Sequence, residues 1–377
     1  MASTPAICEA REAQERAVRN TRDAIRARWI GEVPILAIGS ALMALCLALL
    51  ASKGINPGIG GIIANAQIFA MFVVVLVCWD AARTLYQDRP KSPIAHLRAR
   101  YGAMPMRRRI LAGLPMLGVA IVLLPYFSKM KSAIPLFNEY SWDAAFIAWD
   151  REIFFGYDAW QVLQPLLGYP LVTAFLGLLY QLWFLLLYPG VMWFAFARTD
   201  EVARRQFFLS YVLSWTLVGG LMATWLASVG PVFVGPILGD PTFDMQMDYL
   251  RAANETVPIM VLPVQEMLLE WYHQRQDGLG SGITAMPSMH CAIAFLYWIA
   301  VRQVSPRWGA FFGVFFFITW ISSVHLAYHY AVDGLVSLLA VALIWRVSGR
   351  LVRAWDRWLS RRASVQPTLR TKTVPAE

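Results

Sequence analysis

The sequence predicts an all-α fold, a polytopic bundle of membrane-spanning helices. Three observations predict it. Hydrophobic residues make up 58% of the 377, and the mean hydropathy is +0.49, higher than a soluble domain ordinarily reaches. Several apolar runs exceed the roughly 18 residues that mark a membrane span. Lys and Arg gather in alternate loops, the pattern that fixes orientation in a membrane. Backbone in hydrocarbon must satisfy its own polar groups, so such runs form helices and not open strands.

Residues 1–32 are polar, with Arg11, Arg16, Arg19, Arg22, Arg26 and Arg28 among acids. They read as a cytoplasmic amphipathic lead-in helix, a solvated charged helix and not a cleavable signal peptide. Eight spans follow, at 33–52, 62–82, 110–128, 171–197, 207–229, 287–304, 308–326 and 331–348. The fourth is long enough to start as an interfacial segment. Region 33–109 thus holds two N-terminal spans and a basic inner loop, 110–348 a six-span core, and 349–377 a basic cytoplasmic tail. The last fifteen residues read as disordered.

Loop charge sets the orientation. The 83–109 loop carries Arg83, Arg89, Lys91, Arg98, Arg100, Arg107, Arg108 and Arg109. Arg198, Arg204 and Arg205 follow the fourth span, Arg302 and Arg307 flank the 305–307 turn, and the tail is arginine-rich. These loops belong inside, with both termini. The 129–169 and 230–286 loops are acidic and belong outside. This distribution, and not a nucleic-acid partner, accounts for the net charge of +9. Compact loops without targeting elements point to a bacterial inner membrane. Cys8, Cys46, Cys78 and Cys291 show no paired spacing, which argues against a disulfide framework or a zinc cluster. The stretch FIAWDREIFFGYDAWQVLQPLLG, residues 146–168, mixes aromatic and acidic residues at near-helical spacing. It fits an interfacial helix, or equally a helix that packs on the bundle.

Of five histidines, three fall at span ends. His290 opens the sixth span in AMPSMH, and His325 and His329 close the seventh in SSVHLAYHYAVDG. The sixth span begins outside and the seventh ends outside, so all three share one membrane face. Ser322, His325, His329 and Asp333 are spaced 3, 4 and 4, and in a helix they share a side. Asp333 can then orient His329 through one ring nitrogen and leave the other free, as a nucleophilic or basic histidine needs. Ionisable groups at the edge of the apolar layer are costly, so a functional role is the default reading.

These residues resemble the second and third signature motifs of the type-2 phosphatidic acid phosphatase superfamily, Pro-Ser-x-His and then Ser-Arg, five residues, His, three residues and Asp. Here Pro287, Ser288, Met289 and His290 form the first, and Ser322, Ser323, His329 and Asp333 the second. The family's glycine is Met289 and its arginine is Ser323. Its upstream Lys–Arg–Pro motif has only an imitation, RTLYQDRP, one residue short and on the inner side. A branch that transfers lipid head groups departs similarly. Asp150 to Gly156 (DREIFFG), ASVGPVF and HLAYHYAVDG are similar to inositol phosphorylceramide synthases of the aureobasidin-resistance type.

The resemblance implies a phosphohistidine mechanism at the outer membrane face. His329 attacks phosphorus, Asp333 orients it, and His290 protonates the leaving oxygen and then deprotonates the acceptor. Ser288, His325 and Arg275 are the candidate phosphate-binding residues, with the helix N-terminus after Ser288. Partners are membrane lipids: a phospholipid donor, and water or a lipid hydroxyl as acceptor. Neither a metal nor a cofactor is required. Three other readings stay open. One is a lipid phosphate phosphatase. Another is a zinc hydrolase that uses the His325/His329 pair with His290 or Asp333. The third is a proton-relaying transporter or scaffold.

Overall fold

The computed structural model describes residues 4–196, 200–276, 278 and 280–365, with side chains from 19 to 362. Every regular element among them is helical. Of the last fifteen residues, expected to be disordered, 363–365 continue the final helix, and those from 366 onward lie outside the described ones.

Helix α1 (Thr4–Ser52) runs through the expected lead-in into the first span without a break. Ala, Arg, Glu and Gln dominate that lead-in, and all favour helix, so nothing stops it. Helix α2 (Gly60–Asp88) returns, α3 (Pro93–Gly102) lies in the basic loop, and α4 (Met104–Phe137) crosses again. The span expected at 110–128 is therefore longer. Pro115, Pro125 and Pro135 all sit inside α4 without ending it. At Pro125 the freed carbonyl, Ile121 O, accepts from Asn65 of α2 at 2.8 Å.

The segment after α4 folds into α5 (Asp143–Ile153) and α6 (Ala159–Leu167). Helix α5 both packs and faces out. It buries Asp143, Phe146, Ile147 and Asp150, and leaves Trp149 and Ile153 exposed. Helix α7 (Pro170–Phe196) crosses next, and α8 (Glu201–Leu213) continues through π-helical turns at Ser214–Met222 to Trp225. The long 230–286 connection contains α9 (Asp244–Thr256) and α10 (Leu262–Gln274). The chain ends in α11 (Met289–Val301), α12 (Pro306–His325) and α13 (Ala331–Val365).

Seven helices among the described residues are long and apolar enough to cross a membrane: α1, α2, α4, α7, α8 with its extension, α12 and α13. The expected sixth span is the exception. Helix α11 has 13 residues, about 20 Å at the usual rise, against a hydrocarbon layer of about 30 Å. It can be short because protein surrounds it. Every residue from Cys291 to Tyr297 is buried. Helices α1 and α2 lie at the edge: the apolar window of α2 is 11% buried, against 61% in Glu201–Trp225. The core is α4, α7, α8, α11, α12 and α13.

A buried ion network ties α1 to the far end of this core. Arg204 on α8 is fully buried and pairs with Glu32 on α1 and with Glu201. Arg205 holds Asp356 on α13 through two hydrogen bonds, 2.7 and 2.9 Å. Removing one member of a buried pair strands the other charge, at about 3–5 kcal/mol. Arg204→Met should therefore lower the unfolding free energy in mixed micelles by about that much. Adding Glu32→Leu should restore most of the loss. Equal losses in the single and double variants would show that the pair is not coupled.

Candidate active site

Ser288 starts α11. Its φ and ψ of −72° and 111° are non-helical, and its Oγ accepts from Cys291 N at 3.4 Å, a helix cap. His290 therefore sits in the first turn, against an aromatic wall on α7. Its ring stacks on Tyr180 at 4.4 Å, with Trp183 at 4.3 Å and Phe184 at 5.6 Å. The Trp183 indole N–H donates to the His290 carbonyl at 3.0 Å. Nε2 of His290 is buried and makes no hydrogen bond within the described protein.

His329 comes from the turn between α12 and α13. Helix α12 stops at His325, Ala327 takes a left-handed φ of 62°, and the amides of Tyr328 and His329 both donate to Ser323 O. Asp333, in the first turn of α13, then takes Nδ1 of His329 at 3.0 Å and the amide of Tyr330 at 3.1 Å. That leaves Nε2 of His329 free of Asp333. Burial, and after it the charge of Lys131, pushes the His329 imidazole down to about 3, with the backbone of Ala285 working against both. The ring is thus neutral and nucleophilic at physiological pH. The His290 and His329 rings lie 6.4 Å apart, centre to centre. Ser337 Oγ lies 2.9 Å from Ser288 O and 2.7 Å from Asp333 O, joining the two motifs.

Two buried carboxylates on α5 hold this turn. Asp150 accepts from the amides of Ala331 at 2.7 Å and Val332 at 2.9 Å, and so caps α13 from outside. Asp143 accepts from Gly230 N at 2.9 Å, from Val229 N and from the Tyr330 hydroxyl at 2.7 Å. Gly230 is required there. Its φ is +89°, and a Cβ would meet Tyr328 O at 2.8 Å. Burial, opposed by the two amides, raises the Asp150 carboxyl to about 6.

His290, His329, Asp333 and Ser288 are thus brought together as expected from the motifs. His325 is not. The expected single helical face fails because α12 ends there. Nε2 of His325 instead bonds Thr173 on α7 at 2.9 Å, and Thr173 in turn bonds the Tyr249 hydroxyl at 2.6 Å. The two histidines therefore do not share a side for one zinc ion. Arg275 ends α10 at φ 53° on the surface, with no hydrogen bond from its guanidinium to the histidines. At the family's arginine position, Ser323 Oγ donates to Trp320 O at 2.7 Å.

Sequence reasoning missed Lys131, whose charge reaches both His290 and His329. Placing the third span at 110–128 made it a loop charge, whereas α4 carries it. A lysine inside an apolar helix was the available signal. It also missed the roles of Asp143 and Asp150. Their signal was the spacing 143, 146, 147 and 150, one helical face with a carboxylate at each end.

A family model described as the PAP2 superfamily matches residues 144–347, more than half of the chain. The chain belongs to the PAP2 superfamily. Neither a curated protein nor a solved structure matches it. PAP2 proteins are phosphoesterases and phosphotransferases, and the apolar helices make this one a multi-pass membrane protein. The PAP2 match starts within α5 and ends within α13, so it includes Asp150, both motifs and the turn between α12 and α13, while Asp143 lies one residue before it. Lys131 lies outside it.

Asp150 gives a test with a defined sign. Its carboxyl titrates near 4 when unfolded and at about 6 when folded. Across that window the folded protein holds a proton that the unfolded chain lacks, so stability rises as pH falls. Activity falls, because a neutral carboxyl accepts less well from the two amides. The Tm in detergent should rise more from pH 7 to pH 5 in the wild type than in Asp150→Asn. That variant should lose roughly tenfold in kcat. Superimposable pH profiles for the two proteins would refute this role.

Proposed function

We propose that the protein transfers a phosphorylated head group between membrane lipids through a phosphohistidine on His329. One observation carries this: His329, held by Asp333 through Nδ1 at 3.0 Å, faces across 6.4 Å to His290, whose Nε2 has no protein partner. The first ring is built to attack and the second to carry a proton.

Nε2 of His329 attacks phosphorus, and the bond to the leaving lipid oxygen breaks. His290 supplies the proton to that oxygen. In the second half the acceptor hydroxyl gives its proton to His290 and attacks phosphorus, and His329 leaves. Negative charge on the phosphoryl oxygens is met by Lys131, by the start of α11 and by the Ser288 hydroxyl. His325 supports the wall of the site through Thr173. Loop charge supports placing this site on the extracytoplasmic face, with both termini cytoplasmic.

Burial favours a lipid hydroxyl over bulk water as acceptor, since His329 is 7% exposed. The similarity of DREIFFG, ASVGPVF and HLAYHYAVDG supports an inositol phosphate head group and a ceramide acceptor. A phosphatase of the same superfamily is the second reading, and it differs only in admitting water.

The test uses purified protein in detergent with labelled phosphatidylinositol or phosphatidic acid, with and without ceramide or diacylglycerol. A new labelled lipid that needs the acceptor and disappears in His329→Ala is the expected result. Free phosphate released from phosphatidic acid without an acceptor would make the protein a phosphatase. Lys131→Met should cut kcat/KM by about 100-fold, as loss of a transition-state donor does, and Lys131→Arg should recover part of it. Unchanged kinetics in Lys131→Met would remove the lysine from the scheme.

A further inference from the structure

Helix α4 starts against the usual charge pattern. Ala103 offers no capping side chain, and no acid occupies the first turn. Arg107, Arg108 and Arg109 follow instead. A helix N-terminus carries roughly half a positive charge, which acids offset and arginines worsen. Helix α8 starts in the ordinary way, with Asp200 as cap and Glu201 in its first turn. The start of α4 thus carries no acid to offset its dipole.

The start of α4 lines a cavity of about 860 Å³ between α1, α4, α8 and α13. Arg28, Arg108, Arg109 and Arg205 line it, against only Glu201 and Asp356. Asp356 neutralises Arg205. Arg109 donates through Nε to Phe196 O. Arg28 lies 3.4 Å from Glu201 and 3.8 Å from Glu32 and donates to Ala195 O at 3.3 Å, while its Nε makes no hydrogen bond. Arg108 is exposed, has no ion pair or hydrogen bond among the described residues, and lies close enough to Arg28 for the charges to repel. Orientation rules explain arginines near a membrane surface. They do not explain why these arginines surround a cavity at an uncapped helix start.

We propose that this cavity is a second binding site, for a phosphate-bearing anion. It is separate from the histidines. Asp333 and Asp356 stand at opposite ends of α13, about 35 Å apart at the usual rise. Guanidinium forks fit phosphate oxygens in pairs. Ala24, Ala27 and Ala112 leave room beside them, and Leu359 adds apolar surface. The phosphate can belong to an anionic lipid of the leaflet at that end, or to a free phosphomonoester.

The test compares the full-length protein with Arg108→Glu and Arg108→Lys. One arm measures saturable binding of phosphatidylglycerol in nanodiscs, and the other measures glycerol 3-phosphate in detergent. Arg108→Glu should keep wild-type turnover at the histidines, which shows that it is folded. It should weaken binding roughly 10- to 100-fold, the effect of losing and reversing one charge-assisted contact. Arg108→Lys should stay within a few-fold, because it keeps the charge. Binding that follows this order in the first arm makes the ligand a lipid, and in the second a soluble phosphate. Binding of neither probe, or equal binding by wild type and Arg108→Glu, overturns the proposal.

Discussion

The site depends on two carboxylates that meet backbone amides. Asp143 and Asp150 are one α5 face apart, and between them they accept from Val229, Gly230, Ala331 and Val332. A buried carboxylate without donors is very costly, and a helix start without acceptors is costly too. Each settles the other. The turn from Leu326 to Tyr330 is held further by Gln265, which donates to Leu326 O at 2.8 Å, and by Val232 N, which donates to Ala327 O at 2.8 Å. His329 and Asp333 are aligned only while that turn holds.

The same contact explains why the break between α12 and α13 serves catalysis better than a continuous helix. A single helix would place His325 and His329 on one side. The break sends His325 toward Thr173 and Tyr249, into the packing of the outer helices, and frees His329 to meet His290 on α11. Ser337 then links the two motif segments through the carbonyls of Ser288 and Asp333. The small residue Gly334 lets Trp320 lie against α13, since a Cβ there would meet the indole at 2.1 Å.

Much of this was legible in the sequence. Apolar runs marked the helices, and His290, His329 and Asp333 were marked by their spacing and their place at span ends. Two kinds of feature were not. Helix ends inside protein do not follow hydropathy, because neighbours and not lipid decide them. Thus α4 outran its apolar window and carried Lys131 into the site, and α11 stopped short. Long-range polar contacts leave little trace in one chain. Asp143 and Asp150 looked like loop acids, although they sat on an otherwise apolar face, and the residue that would receive them lay about 180 positions away.

The brevity of α11 has a consequence for how a substrate is reached. Its far end is followed by Arg302, which favours the water boundary. If that end is level with the bilayer surface, the His290 end stops about 10 Å short of the opposite hydrocarbon boundary. On the proposed function, a phosphate that meets His290 would sit below the plane of its neighbours' glycerol groups, while its acyl chains stay in the leaflet. Bilayer thickness would then set the depth of that descent, and lipid composition would bear on access before recognition of the head group.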